Sequence, residues 1–96
     1  MTPKHIMIIH NPVAGGRRRS RLDRAVAELR AQGLRVNLRE TRGPGDAGKL
    51  AAELSGQAAP PDLLVAAGGD GTISEASQGL LINGHTPALG VLPLGT

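Results

Sequence analysis

The run Leu63-Leu64-Val65-Ala66-Ala67 passes without a break into Gly68-Gly69-Asp70-Gly71-Thr72. Five apolar residues in succession fit a strand covered on both faces, as inner strands of parallel sheets are. Glycine then marks a tight turn, and the spacing predicts a helix over residues 73–82, ending near Asn83-Gly84. Upstream, Lys4-His5-Ile6-Met7-Ile8-Ile9-His10 has the same form, an apolar run that stops at Asn11-Pro12 and Gly15-Gly16. Leu22, Val26 and Leu29 share one helical face, with Ser20 as candidate cap and Gly33 as stop. Leu34, Val36 and Leu38 alternate with polar residues, which predicts a half-buried strand near a sheet edge. Gly43-Pro44-Gly45-Asp46 is turn chemistry, with Asp46 placed to cap a second helix. Leu50, Ala51 and Leu54 mark that helix, and Pro60-Pro61 would break it. Ala88-Leu89-Gly90-Val91-Leu92 reads as a fourth strand.

Strands and helices therefore alternate from end to end. That order predicts an α/β fold: an open parallel sheet with helices on both faces and right-handed crossovers. A parallel strand normally leads into another helix, so a chain stopping at Gly95-Thr96 is expected to be a domain truncated after its fourth strand. Apolar surface left by missing strands keeps homodimerisation open.

Composition removes several classes of function. The 96 residues include 14 Gly and 7 Pro but no Phe, Trp, Tyr or Cys. Without aromatics there are no stacking platforms for single-stranded nucleic acid, and no recognition motif supports nucleic-acid binding. Without Cys, disulfide scaffolds, thiolate zinc sites and Cys nucleophiles are excluded. No apolar run approaches the length of a membrane span, and the first ten residues lack a cleavage site, so a cytoplasmic protein is expected. The net charge of +3 is unevenly spread. Residues 1–42 carry ten basic and three acidic side chains, a balance of +7, whereas residues 43–96 carry one basic and five acidic, a balance of −4. The densest basic run is Arg17-Arg18-Arg19-Ser20-Arg21. It reads equally as a solvated helix entrance or as a surface for anions, either nucleotide phosphates or an anionic membrane.

In open parallel sheets, ligands bind beyond the carboxyl ends of the strands. Three segments rich in Gly or small residues are expected on that edge: residues 11–16, 68–72 and 94–96. In the second, Gly68, Gly69 and Gly71 permit close backbone approach, and the following helix start offers free N–H groups to phosphate. Thr72 adds a hydroxyl. Asp70 is out of place in an anion site unless a cation mediates, so it implies Mg²⁺, held directly or through water. No Gly-Lys-Ser/Thr follows, which excludes a Walker A loop, and Ser74 stands where the dinucleotide fingerprint has Gly or Ala. The bland alternative is a strand-to-helix turn in which Asp70 caps the helix. Glu75, one turn on from Thr72, either orders the loop, helps the metal or faces solvent. His10 at a strand end reads as structural, and the three His residues show no metal-ligand spacing.

Asn11-Pro12-x-x-Gly15, Gly68-Gly69-Asp70-Gly71-Thr72-x-x-Glu75 and Leu92-Pro93-Leu94-Gly95-Thr96, in this order, resemble the catalytic domain of the diacylglycerol kinase family. The bacterial lipid kinases look closest, and Thr41-x-x-x-Gly45-Asp46-Ala47 resembles that branch as well. The resemblance implies the N-terminal, ATP-binding part of an ATP-dependent lipid kinase. The intact protein would move the γ-phosphoryl group of ATP to a lipid hydroxyl, diacylglycerol or a related glycerolipid. Asn11, Gly15, Thr41, Gly68, Gly69, Asp70, Gly71, Thr72, Ile73, Ser74 and Thr96 would contact ATP, with Glu75 and Arg19 in support and Asp70 in the Mg²⁺–phosphate network. Ser74, Ala76 and Gln78 depart from the family's usual residues on the helix face. The family continues past Gly-Thr into a β-rich domain expected to hold the catalytic carboxylate and the lipid pocket, so residues 1–96 alone are expected to be inactive. Peripheral contact with the inner membrane surface is a further expectation. A GGDGT segment also occurs in NAD kinases, so an NAD kinase-like domain and a non-catalytic nucleotide-binding module remain alternatives.

Overall fold

A computed structural model describes residues 4–12, 16–82, 84 and 87–94. Seven elements follow one another: β1 (His5–His10), α1 (Arg17–Ala31), β2 (Arg35–Glu40), α2 (Asp46–Ser55), β3 (Leu63–Gly68), α3 (Asp70–Leu81) and β4 (Ala88–Pro93). The four strands form one parallel sheet in the order β2-β1-β3-β4. The chain first winds from β1 outward to β2, then crosses back over β1 to β3. The strand order thus reverses between β1 and β3, which is the topological switch point where open α/β sheets hold ligands.

Alternation along each inner strand divides the core into two layers. On one face Ile6 and Ile8 of β1 and Ala67 of β3 pack with Leu22 and Val26 of α1. On the other, Ile9, Leu64 and Ala66 pack with Leu50, Ala51 and Leu54 of α2 and Ala76 and Leu80 of α3. The open parallel sheet with helices on both faces is therefore as the sequence predicts. β2, with its alternating pattern, lies at one edge, and its polar residues Arg35, Asn37 and Arg39 are exposed. β4 lies at the other edge, where Val91 is exposed. Asp62 fastens the strand starts: its carboxylate accepts from the N–H groups of Lys4 and His5 at 3.0 and 2.8 Å.

The helix ends differ from the sequence expectation in instructive ways. Ser20 is not a cap. Gly16 precedes α1, no side chain caps it, and Arg17 to Arg19 already form its first turn. Arginine is a good helix former, so the helix starts as soon as the glycine has turned the chain. At the other end the stop at Gly33 holds: Gly33 N–H donates to Arg30 O at 3.0 Å and Leu34 N–H to Leu29 O at 3.3 Å, the paired bonds of a Schellman motif. Asp46 does not cap α2 either. Gly45 occupies that position, and the Asp46 carboxylate instead accepts from Arg42 N–H at 2.8 Å. α2 ends at Ser55 and Gly56, ahead of Pro60-Pro61. α3 begins at Asp70, three residues earlier than the apolar spacing suggests. Gly68, at φ 154°, turns the chain within a single residue. Gly69 alone then separates strand from helix, so Asp70, Gly71 and Thr72 are the first turn of α3 and not a loop.

His10 is buried at the end of β1 on the α1 face. Burial lowers its imidazole pKa, Arg19 adds to this, and Glu40 and Asp23 oppose it. The unfolded chain therefore takes up that proton first, and stability falls as pH drops below about 6.5. Asp62, held low by the two backbone N–H donors, contributes a separate loss only as pH falls below the ordinary carboxylate range. Thermal melts between pH 7.5 and pH 5 are expected to show a falling melting temperature, and His10→Asn to flatten the curve in that interval. An unchanged pH dependence in the variant would contradict the assignment.

Candidate functional site

All four strands run in the same direction, so every strand-to-helix segment opens on one edge. The segment after β2 therefore belongs with the three expected from glycine content, and it forms one wall of the site. A cleft of about 800 Å³ lies along this edge at the switch point. Asn11 and Pro12 after β1, Thr41 to Pro44 after β2, and Gly69, Gly71 and Thr72 at the start of α3 line it. Such a volume suits a small organic ligand of nucleotide size.

The floor is the first turn of α3. Ile73 N–H donates to Gly69 O at 3.2 Å, so the amides of Asp70, Gly71 and Thr72 have no carbonyl within the helix to bond. Together with the helix dipole they make an anion-favouring surface. Thr72 is nearly buried and stands over Gly68. A Cβ at Gly68 would meet the Thr72 Oγ1 at 3.1 Å, in a backbone conformation that already disfavours side chains. Asp70 is exposed, and its carboxylate makes no hydrogen bond or ion pair with any described residue. It is not a helix cap, because Gly69 holds that position and no side chain caps α3.

The walls are fixed by backbone bonds and by two long-range side chains. Thr41 is buried, and its N–H donates to His10 O at 2.9 Å, joining the ends of β2 and β1. Glu75 lines the cleft and accepts from Gly45 N–H at 3.0 Å. Opposite, Leu94 N–H donates to Gly68 O at 3.1 Å, and the Arg21 guanidinium donates to Leu94 O at 3.3 Å. These two bonds hold the end of β4 beside the end of β3.

The structure gathers Asn11, Thr41, Gly69, Gly71, Thr72 and Glu75 on one cleft. Gly68 and Asp70 are not among the residues that line it: Gly68 is buried against Thr72, and Asp70 is exposed on the same turn as Gly71. Ile73 instead packs into the α2–α3 core, and Ser74 faces solvent. Gly15 and Thr96 lie outside the described residues. Arg19 does not line the cleft; its guanidinium donates to Asp23 at 3.0 Å, one helical turn along α1. Arg18, its neighbour, does line it, and Arg42 faces it from the opposite wall. Arg18 falls within the basic run at residues 17–21 that charge alone marks as a candidate anion surface. Arg42 and Glu40 belong to no motif; their signal is the parallel topology, which brings β2's carboxyl end to the same edge. Among the described residues no group of three or more potential metal ligands exists.

A Gly-rich strand-to-helix turn at the switch point of a 2-1-3-4 parallel sheet opens on a cleft lined by Arg18 and Arg42 and by Glu40 and Glu75, the arrangement of an α/β domain with a candidate ligand site at that edge. Comparison with known proteins sharpens this. Residues 5–96 match the model of the diacylglycerol kinase catalytic domain, and the chain belongs to that family. It is 36% identical over 94 residues to the diacylglycerol kinase of Bacillus subtilis, covering 97% of this chain and 30% of that protein. It is 40% identical over 77 residues to "Probable lipid kinase YegS" of Salmonella newport, covering 78% of this chain and 25% of that one. A crystal structure of a diacylglycerol kinase from Bacillus anthracis superposes with a TM-score of 0.81 at 31% identity, covering all of this chain and 35% of that one. The chain thus spans between a quarter and roughly a third of the length of the relatives it matches. No helix among the described residues is long and apolar enough to cross a membrane.

Proposed function

We propose that this chain is the ATP-binding part of a lipid kinase, and that the protein carrying it transfers the γ-phosphoryl group of ATP to the hydroxyl of diacylglycerol or a related glycerolipid. The observation that carries this reading is that Gly71 and Thr72, in the first turn of α3, line the switch-point cleft together with Arg18 and Arg42. The names of the relatives supply the lipid. In this reading the amides of Asp70, Gly71 and Thr72 bind the phosphates, and Arg18 and Arg42 add charge where the anion lies. Thr41 and Asn11 shape the wall beside the nucleotide. Mg²⁺, when bound, supplies charge neutralisation on the phosphates. Asp70 is the group of this chain that would hold it, through water. An exposed carboxylate with no partner among the described residues fits a metal carried mainly by the phosphates. The catalytic carboxylate and the lipid pocket are assigned to sequence beyond residue 96, so residues 1–96 alone bind nucleotide weakly and turn nothing over. A cytoplasmic protein working at the inner membrane surface, on lipid presented there, completes the reading.

The test is a kinase assay on the complete protein with labelled ATP, Mg²⁺ and mixed glycerolipid vesicles, with NAD as a parallel acceptor. Label in lipid supports the proposal, and label in NAD moves the protein to the NAD kinase side. Nucleotide binding with no label in either favours a non-catalytic module. ATP titrations add a residue-level arm. Arg18→Ala is expected to weaken ATP binding about tenfold, the scale of one charge-assisted contact. Arg19→Ala, which removes the same charge one residue away, is expected to leave it within about twofold, because Arg19 is committed to Asp23.

A further inference from the structure

The turn at residues 43–45 has little to hold it in place. A Cβ at Gly43 or Gly45 would meet nothing within 4 Å, so no side-chain packing on that side holds either residue. Its internal bonds are local: Asp46 N–H to Gly43 O at 3.2 Å, and Arg42 N–H to the Asp46 carboxylate at 2.8 Å. Among the described residues, a bond to a distant element comes from Glu75, whose Oε2 accepts from Gly45 N–H at 3.0 Å across 30 residues of sequence. Glu75 sits just beyond the first turn of α3, the floor of the cleft, and Gly45 opens α2 at the end of the wall. Both Glu75 and the adjoining Gly43 and Pro44 line the cleft.

A carboxylate lining a cleft for phosphates would ordinarily repel them. Here one of its oxygens is turned onto a backbone amide, where it satisfies a donor at the start of α2. We propose that Glu75 is a positioning residue: it locks the 41–45 wall at a fixed distance from the α3 amides and so sets the width of the nucleotide cleft. The inference rests on the ATP-site reading for its effect on binding, but the lock itself does not. Its chemistry needs an acceptor atom at the right reach, not a negative charge. Gln offers a carbonyl oxygen at the same length, Asp is one methylene too short, and Ala has none.

Two readouts separate the lock from the site reading. Amide hydrogen exchange of residues 42–46, measured without nucleotide, is expected to accelerate at least tenfold in Glu75→Ala and Glu75→Asp and to stay within about threefold of the parent in Glu75→Gln. With ATP, Ala and Asp are expected to raise the KM for ATP about tenfold with kcat within about twofold, and Gln to restore the KM. Unchanged exchange in both Ala and Asp overturns the proposal, as does a Gln variant that loosens like Ala. Faster exchange in a protein that shows no ATP binding at all keeps the lock and overturns the site reading. If Glu75→Ala does not fold, the Asp and Gln pair makes the same comparison.

Discussion

Gly79→Ala is expected to destabilise the chain by about 3 kcal/mol or more and to lower its melting temperature by about 12–24 °C. Gly79 faces Gly48 where α3 and α2 cross. A Cβ at Gly79 would collide with the Gly48 carbonyl oxygen and press on the Ala51 Cβ at 3.0 Å. The obstacle is backbone, so it cannot move aside as the end of a long side chain would. To admit one methyl group the helices must separate, and separation opens the core between Leu50, Leu54, Ala76 and Leu80. Overpacking of this kind reaches the upper end of the usual 1–3 kcal/mol range and beyond, a large share of a small domain's stability. Glycine within two helices costs about 1 kcal/mol at each position relative to Ala, and the close approach it permits is what offsets that. Gly43→Ala is the contrast: a Cβ there meets open space, and its melting temperature should stay within about 2–4 °C of the parent. A Gly79→Ala protein that melts near the parent temperature would show that the two helices do not depend on this contact.

The layout of the sheet was legible because apolar runs and glycine punctuation record burial directly. Leu63 to Ala67 is apolar throughout because helices cover both faces of β3, and Leu34 to Leu38 alternates because β2 is an edge. Helix starts were harder. Asp70, Gly71 and Thr72 carry no apolar periodicity, and only the geometry of Gly68 and Gly69 shows that they are already helical. The same holds for Asp46 and Ser20, polar residues whose composition suggests caps but whose positions are taken by Gly45 and Gly16. In the site, motif spacing found the floor and missed part of the walls. Arg18 and Arg19 are neighbours in one basic run, and the roughly 100° of rotation between successive helical residues turns Arg19 to Asp23 at i+4 and Arg18 to the cleft. The bond between Glu75 and Gly45 spans two elements and leaves no periodic trace.

Asp70→Asn in the complete protein is expected to lower lipid phosphorylation by two to three orders of magnitude while leaving the fold intact. The two halves of that expectation have separate grounds. The Asp70 side chain is exposed, makes no bond to a described residue and caps nothing, so its replacement by a near-isosteric amide belongs with ordinary surface substitutions. Those fall within about 0.5 kcal/mol, a melting-temperature change of about 1–2 °C in a protein of more than about 150 residues. Its loss to chemistry is large for the opposite reason. Phosphoryl transfer depends on positioning and charge neutralisation, and removing one preorganised group from such a site costs on the order of 10²–10³-fold. The Asp70 carboxylate, beside amides that favour anions, has no partner among the described residues, so in the proposed site its charge acts through a cation between it and the phosphates. Raising Mg²⁺ should then recover part of the activity of Asp70→Asn but not of Arg18→Ala, whose defect is a missing contact to the anion. Normal activity in Asp70→Asn, or a fold that collapses with it, would each remove the metal assignment: the first by making the charge dispensable, the second by revealing a structural role.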